Sequence, residues 1–133
     1  MLADIGAYLE EQGVGTVGED LFLGYFPEAP DDCVVLLETQ GLPPDAAAGT
    51  ETPGLQAVAR WKSAYSYAEG KLQRIHDVLK QVGFEDGDKP SGVTIGGRQY
   101  FSVYPEFSGM EALEDDETGR KRIARNYFVV MRG

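Results

Sequence analysis

A single cysteine, Cys33, and a single histidine, His76, are all that the chain offers to the usual chemistry of thiols and imidazoles. One cysteine excludes an internal disulfide and, with one histidine, cannot complete a structural zinc site. No run approaches the ~18 apolar residues needed to cross a bilayer, which excludes a helical membrane span. The first residues, MLADIGAYLEEQ, lack a basic segment and carry Asp4, Glu10 and Glu11, so they do not read as a signal peptide. Together these features favour folding in a reducing cytoplasm. Bases are also scarce: 12 Lys and Arg against 22 Asp and Glu give a net charge of -10, which argues against tight nucleic-acid binding. Such acidity serves solubility, or it makes a surface past which a polyanion slides without sticking.

The 133 residues, 42% of them hydrophobic, suit one domain spanning 1–133 with its own core. The organising stretch is 52–82. It reads as a short strand that runs into a long amphipathic helix, with Ala68, Leu72, Ile75, Leu79 and Val82 forming one apolar stripe. A helix of this kind needs a sheet to cover. Ahead of it, Leu2, Ile5 and Leu9 mark a short helix that Gly13 caps, and residues 20–26 and 33–39 read as strands. Residues 41–52, rich in Pro, Ala and Gly, read as a loop without period. Gly83 is expected to end the long helix and residues 84–92 to form a turn-rich linker. Val93, Thr94 and Ile95, then Gly96-Gly97, then residues 98–104 give the clearest hairpin signal. Residues 106–119 read as an irregular acidic arm. Residues 120–131 read as a final strand with Ile123, Tyr127, Val129 and Met131 inward, an alternation that Arg125 interrupts. The expected fold is α+β: a two-layer sandwich with a mostly antiparallel sheet of about five or six strands and two helices packed on one face.

Motif chemistry is thin. Gly13-Val14-Gly15-Thr16-Val17-Gly18 spells G-x-G-x-x-G, but it follows a helix and enters a strand, the reverse of the dinucleotide-binding context. His76 and Asp77 are neighbours on a helix and point apart, so His76 reads as a surface residue. Cys33 lies in an apolar strand, where a thiol is inert packing. Serine-hydrolase, P-loop and zinc-protease signatures are absent, so no catalytic residue, cofactor or metal is assigned. Interaction features remain. Tyr25, Phe26, Trp61, Tyr65 and Tyr67 sit at element ends, where they either plug the core or form an interface. Two long loops join them. The candidate interface residues are Tyr25, Phe26, Pro43, Pro44, Trp61, Glu114, Asp115, Asp116 and Glu117.

Several pieces in order carry a resemblance. They are Leu2, Ile5 and Leu9 ending in Gly13-Val14-Gly15-Thr16; Asp20-Leu21-Phe22-Leu23-Gly24 with Pro27; Asp31-Asp32-Cys33-Val34-Val35-Leu36; and Pro53-Gly54-Leu55-Gln56 with Arg60. Next come Val93-Thr94-Ile95-Gly96-Gly97-Arg98 with Tyr100, then Asp116-Glu117-Thr118-Gly119-Arg120 leading into Asn126-Tyr127-Phe128-Val129-Val130. In this order they resemble the phage and prophage minor capsid, or tail completion, proteins of the tail-terminator type. Residues 84–89 and 106–114 have no place in that pattern. The resemblance implies a non-enzymatic virion protein, assembled in the bacterial host cytoplasm, that forms a homo-oligomeric ring, commonly a hexamer. Such a ring caps the head-proximal end of the tail tube, stops its polymerisation and allows head attachment. Its expected partners are the tail tube protein and the head–tail connector protein, with no membrane. DNA would pass without specific binding, and Asp115, Asp116 and Glu117 are the candidate lumen-facing acids. The alternatives are a head-completion protein at the connector and a small cytoplasmic ligand-binding α+β domain.

Overall fold

The computed structural model describes residues 1–82 and 92–133. The expected cap Gly83 and most of the expected linker, residues 84–91, lie outside the described residues, but the long helix itself ends earlier than expected, at Leu79 with Lys80 as its cap. The elements run α1 (Leu2–Glu11), β1 (Leu21–Leu23), β2 (Cys33–Asp45), β3 (Thr50–Trp61), α2 (Tyr65–Leu79), β4 (Val93–Ile95), β5 (Arg98–Pro105), β6 (Glu111–Leu113) and β7 (Lys121–Arg132).

Helix α1 ends where glycine permits it. Gly13 adopts φ +78, its N–H reaches the carbonyl of Glu10, and Val14 N–H reaches that of Leu9 at 3.0 Å. This crossed pair satisfies carbonyls that the helix end would otherwise leave open. In α2 the apolar stripe is as its spacing requires: Ala68, Leu72, Ile75 and Leu79 are all buried.

The described strands form one sheet in the order β1-β2-β3-β7-β5-β4, with β6 also on β7. β1 runs parallel to β2 and the other pairings are antiparallel. The fold is therefore α+β with two helices and a curled mixed sheet. It is one strand larger than expected and, apart from β1 against β2, antiparallel as expected. Val34, Leu36, Leu55, Ala57, Ala59, Tyr127 and Val129 share one buried cluster with Ile5 and Leu9 of α1 and Leu72 and Ile75 of α2. The alternate residues Cys33 and Val35 form a second, smaller cluster with Phe22.

Three expected boundaries are corrected. The strand expected over 20–26 is confined to Leu21–Leu23, because Gly24 at φ +82 turns the chain away. The stretch 41–52 is not an irregular loop but the upper part of the β2–β3 hairpin. Leu42 pairs with Thr52 and Asp45 with Thr50, across two register shifts. Pro43 and Pro44 are tolerated because they fall in the register shift between Leu42 and Asp45, where neither pairs with β3, and because β1 pairs only with residues 34–36 on the other side of β2. The hairpin closes at Asp45, whose Oδ1 accepts Ala47 and Ala48 N–H at 3.0 and 3.1 Å. The expected arm 106–119 likewise contains the short strand β6, in register with Arg122, Ile123 and Ala124 of β7.

Candidate assembly surface

At one end of the sheet, which we call the base, the chain between β1 and β2 (residues 24–32) meets the turn between β6 and β7 (residues 114–120). Arg60, on the last turn of pairing between β3 and β2, is 1% exposed. Its Nε donates to Asp31 O at 3.2 Å and its Nη2 to Pro30 O at 2.8 Å, holding residues 24–32 onto the sheet. Arg120 makes the second tie, with Nη1 donating to Glu28 O at 2.5 Å and to Asp31 Oδ1 at 3.4 Å.

Asp116 organises the turn. Its Oδ1 accepts Thr118 N–H at 3.0 Å, the Thr118 hydroxyl at 2.9 Å and Arg120 N–H at 2.9 Å, and its Oδ2 accepts Arg120 Nε at 2.5 Å. Desolvation opposes the charge, but the hydrogen bonds from Arg120 and Thr118 outweigh it and hold the carboxyl well below the usual carboxylate range. Asp32 does similar work nearby. Its Oδ2 accepts the Ser63 hydroxyl and its Oδ1 accepts Lys62 N–H at 2.8 Å and Ser63 N–H at 3.2 Å, so despite desolvation its pKa is also shifted down.

The expected interface residues fall into two groups. At the base, Tyr25 is 57% exposed and meets Phe22 edge-on at 5.8 Å between ring centroids. The Arg122 guanidinium lies 5.3 Å from the centroid of Phe26 and donates from Nε to Glu114 O at 2.8 Å. Asp115 pairs with Lys121 at 2.6 Å, and Lys121 sits opposite Trp61 in the ladder. Phe26, Asp116 and Glu117 line a groove of about 390 Å³ together with Arg60, Arg120 and Arg122. Tyr25, Phe26, Trp61, Glu114, Asp115, Asp116 and Glu117 thus gather at the base. Pro43 and Pro44 are at the opposite, hairpin end, where they line a groove of about 590 Å³ with Glu38, Leu42, Glu51 and Pro53. Sequence reasoning missed the three arginines. Their signal was two bases flanking Lys121 at the start of a strand and one closing another.

His76 is half-buried rather than on the surface, because α2 lies against the sheet there. Its Nδ1 is 3.1 Å from the Tyr127 hydroxyl. Desolvation, then the Arg125 charge, lowers its pKa below the usual histidine value. Arg125, which breaks the alternation of β7, is opposite Ala57 and next to this pair. Cys33 packs instead with Phe22 and Val35, and burial raises its thiol pKa, so no Cys–His dyad forms. The G-x-G-x-x-G letters lie in a loop between α1 and β1, with Asp20 Oδ1 accepting Thr16 N–H at 2.7 Å. Among the described residues, no three His, Cys, Asp or Glu side chains are grouped to hold a metal ion, and no helix is long and apolar enough to cross a membrane.

Among the described residues, tied loops and exposed aromatics make a surface of the kind that meets other proteins. The sequence model of the family described as Bacteriophage tail terminator protein matches residues 8–129, and the chain belongs to that family. No curated protein matches the chain. Membership makes the protein a phage tail structural component whose work is contact with other phage proteins.

Proposed function

We propose that the protein is a ring-forming tail terminator that caps the head-proximal end of the tail tube, stops tube polymerisation and presents a docking surface to the head. It acts without catalysis. The family match over residues 8–129 carries this reading. The two surfaces at opposite ends of the sheet support it, because a closed ring is built from unlike patches meeting head to tail. In this reading the fold is a two-layer sandwich with both helices on one face, leaving the ends of the sheet for neighbours. The ring is a hexamer, and its other partners are the tail tube protein and the connector. Asp115, Asp116 and Glu117 face the lumen and let DNA pass by repelling its phosphates, with Asp115 paired to Lys121 and Asp116 tied into its own turn.

The test is solution mass by size-exclusion chromatography with light scattering, followed by binding to purified tail tubes seen by electron microscopy. A discrete species near six times 14.5 kDa, found at one end of each tube, is the expected result. Attachment to a portal complex but not to tubes would replace the terminator reading with head completion.

A further inference from the structure

Alternation along the strands sorts the hairpin half of the sheet into two unlike faces. Leu36, Leu55 and Tyr127 belong to the face that packs on α1 and α2. The hairpin acids share that side, because Glu38 is opposite Leu55 in the ladder and Glu51 is opposite Met131. The other face carries Leu37, Leu42, Tyr104, Phe128 and Val130, with Thr39, Gln56, Ser102 and Asn126 among them. None of these side chains is charged, in a chain where 26% of residues are. Nearer the base the same face is closed: Cys33 and Val35 are buried with Phe22, and Val58 and Ala124 are buried as well. Toward the hairpin it is open. Leu42 is 48% and Tyr104 40% exposed, and Leu37, Phe128 and Val130 are half-buried. The Tyr104 and Phe128 rings lie side by side, 5.6 Å between centroids. Among the described residues, charged groups stand at its margins: Arg132, 5.5 Å from the Phe101 centroid, and Glu111, which accepts the Asn126 amide at 3.3 Å.

A solvated sheet face ordinarily mixes charges with its polar residues, whereas the core of a protein contact is depleted of charge and rich in aromatics. An apolar face of this kind asks for a cover. Charge says which cover fits. A basic partner would be drawn to the carboxylates on other surfaces, not to a face that has none. A second copy carries the same net charge of -10 and is repelled by every acidic surface, so copies approach most closely where carboxylates are missing. We propose that this neutral face is where one copy meets the next, with Tyr104 and Phe128 at the centre of the contact. The proposal rests on the ring reading and names the face that its subunits use.

The experiment compares full-length wild type, Tyr104→Glu, Val130→Lys and Tyr65→Glu. Each is checked for folding by circular dichroism and thermal unfolding, then followed by light scattering and sedimentation across concentration and salt. Tyr65 is exposed on α2, which packs on the opposite face, and its variant controls for an added negative charge. Wild type should assemble, and more readily as salt rises from about 0.05 M to about 0.5 M, because screening removes like-charge repulsion and leaves the apolar contact. Tyr104→Glu and Val130→Lys should each need about tenfold higher concentration, and Tyr65→Glu should match wild type. Folded face variants that assemble like wild type would overturn this contact alone, and if they had also lost binding to tail tubes the face would belong to the tube protein. Assembly that salt weakens, or a Tyr65→Glu as impaired as Tyr104→Glu, would overturn it too. A wild type that stays monomeric at every concentration and salt, with and without tail tubes, would overturn the ring reading and this face with it.

Discussion

The two ends of the sheet are held by different means. At the base, side chains tie loops to strands: Arg60 fastens residues 24–32, and Asp116 and Arg120 close the 114–120 turn and bind it to Glu28 and Asp31. At the hairpin end the ties are main-chain ladder bonds and one Asp45 turn, on an open edge with two prolines. Cross-linked loops hold a cavity at fixed shape, whereas a ladder interrupted by register shifts can adjust. The base is thus held by side chains and the hairpin by its main chain.

The largest effect should come from removing the central tie. Arg60→Ala leaves the Pro30 and Asp31 carbonyls without their donor and opens a void, and should cost about 3 kcal/mol of stability, measured by urea unfolding. If it costs as little as a surface change, the base is not fastened as described.

Acid should act next, and at the base. The carboxyls of Asp116 and Asp32 are held below their unfolded value of ~3.9, so the stability they contribute is complete above that pH and is lost as pH falls through their lower folded values. Asp116→Asn should lower the thermal midpoint at pH 7 by several degrees, and the gap to wild type should narrow as pH drops from about 4 toward 2. A gap of constant width across that range would deny Asp116 its ionic role.

Between the two ends, His76 offers a milder test. Its folded pKa is depressed below ~6.5, so its contribution is full above that value and declines as pH falls through it toward the lower folded value. His76→Gln should therefore flatten the small loss of stability that wild type shows between pH 7 and 5, as read by thermal unfolding. The smallest effect belongs to the hairpin: Pro43→Ala and Pro44→Ala, on an exposed open edge, should each stay within about 0.5 kcal/mol of wild type. A large loss there would mean that the hairpin is rigid and would erase the contrast.

Legibility in the sequence followed the range of the forces involved. The stripe of α2 could be read because burial repeats at every turn, and Ala68, Leu72, Ile75 and Leu79 are all inside. The Gly96-Gly97 turn could be read because both residues take positive φ, at 59 and 77, as a two-residue hairpin turn asks. The upper β2–β3 hairpin could not, since Gly41, Pro43 and Pro44 read as breakers, and they are accepted only because the ladder shifts register around Leu42 and because β1 stops at Leu23. The candidate interface aromatics and acids are legible individually by type. Their gathering at the base depends on loops 24–32 and 114–120 meeting, and the arginines that join them carry no local pattern. The two projecting arms of the sequence reading became one hairpin and one tied turn.

Strand β7 touches β3 on one side and both β5 and β6 on the other. It is also the last of these elements to leave the ribosome. Until it is made, the β1-β2-β3 and β4-β5 pieces have no ladder bonds between them, so the sheet closes through contacts between residues far apart in the chain. The order of translation thus withholds the closed sheet until β7 has emerged.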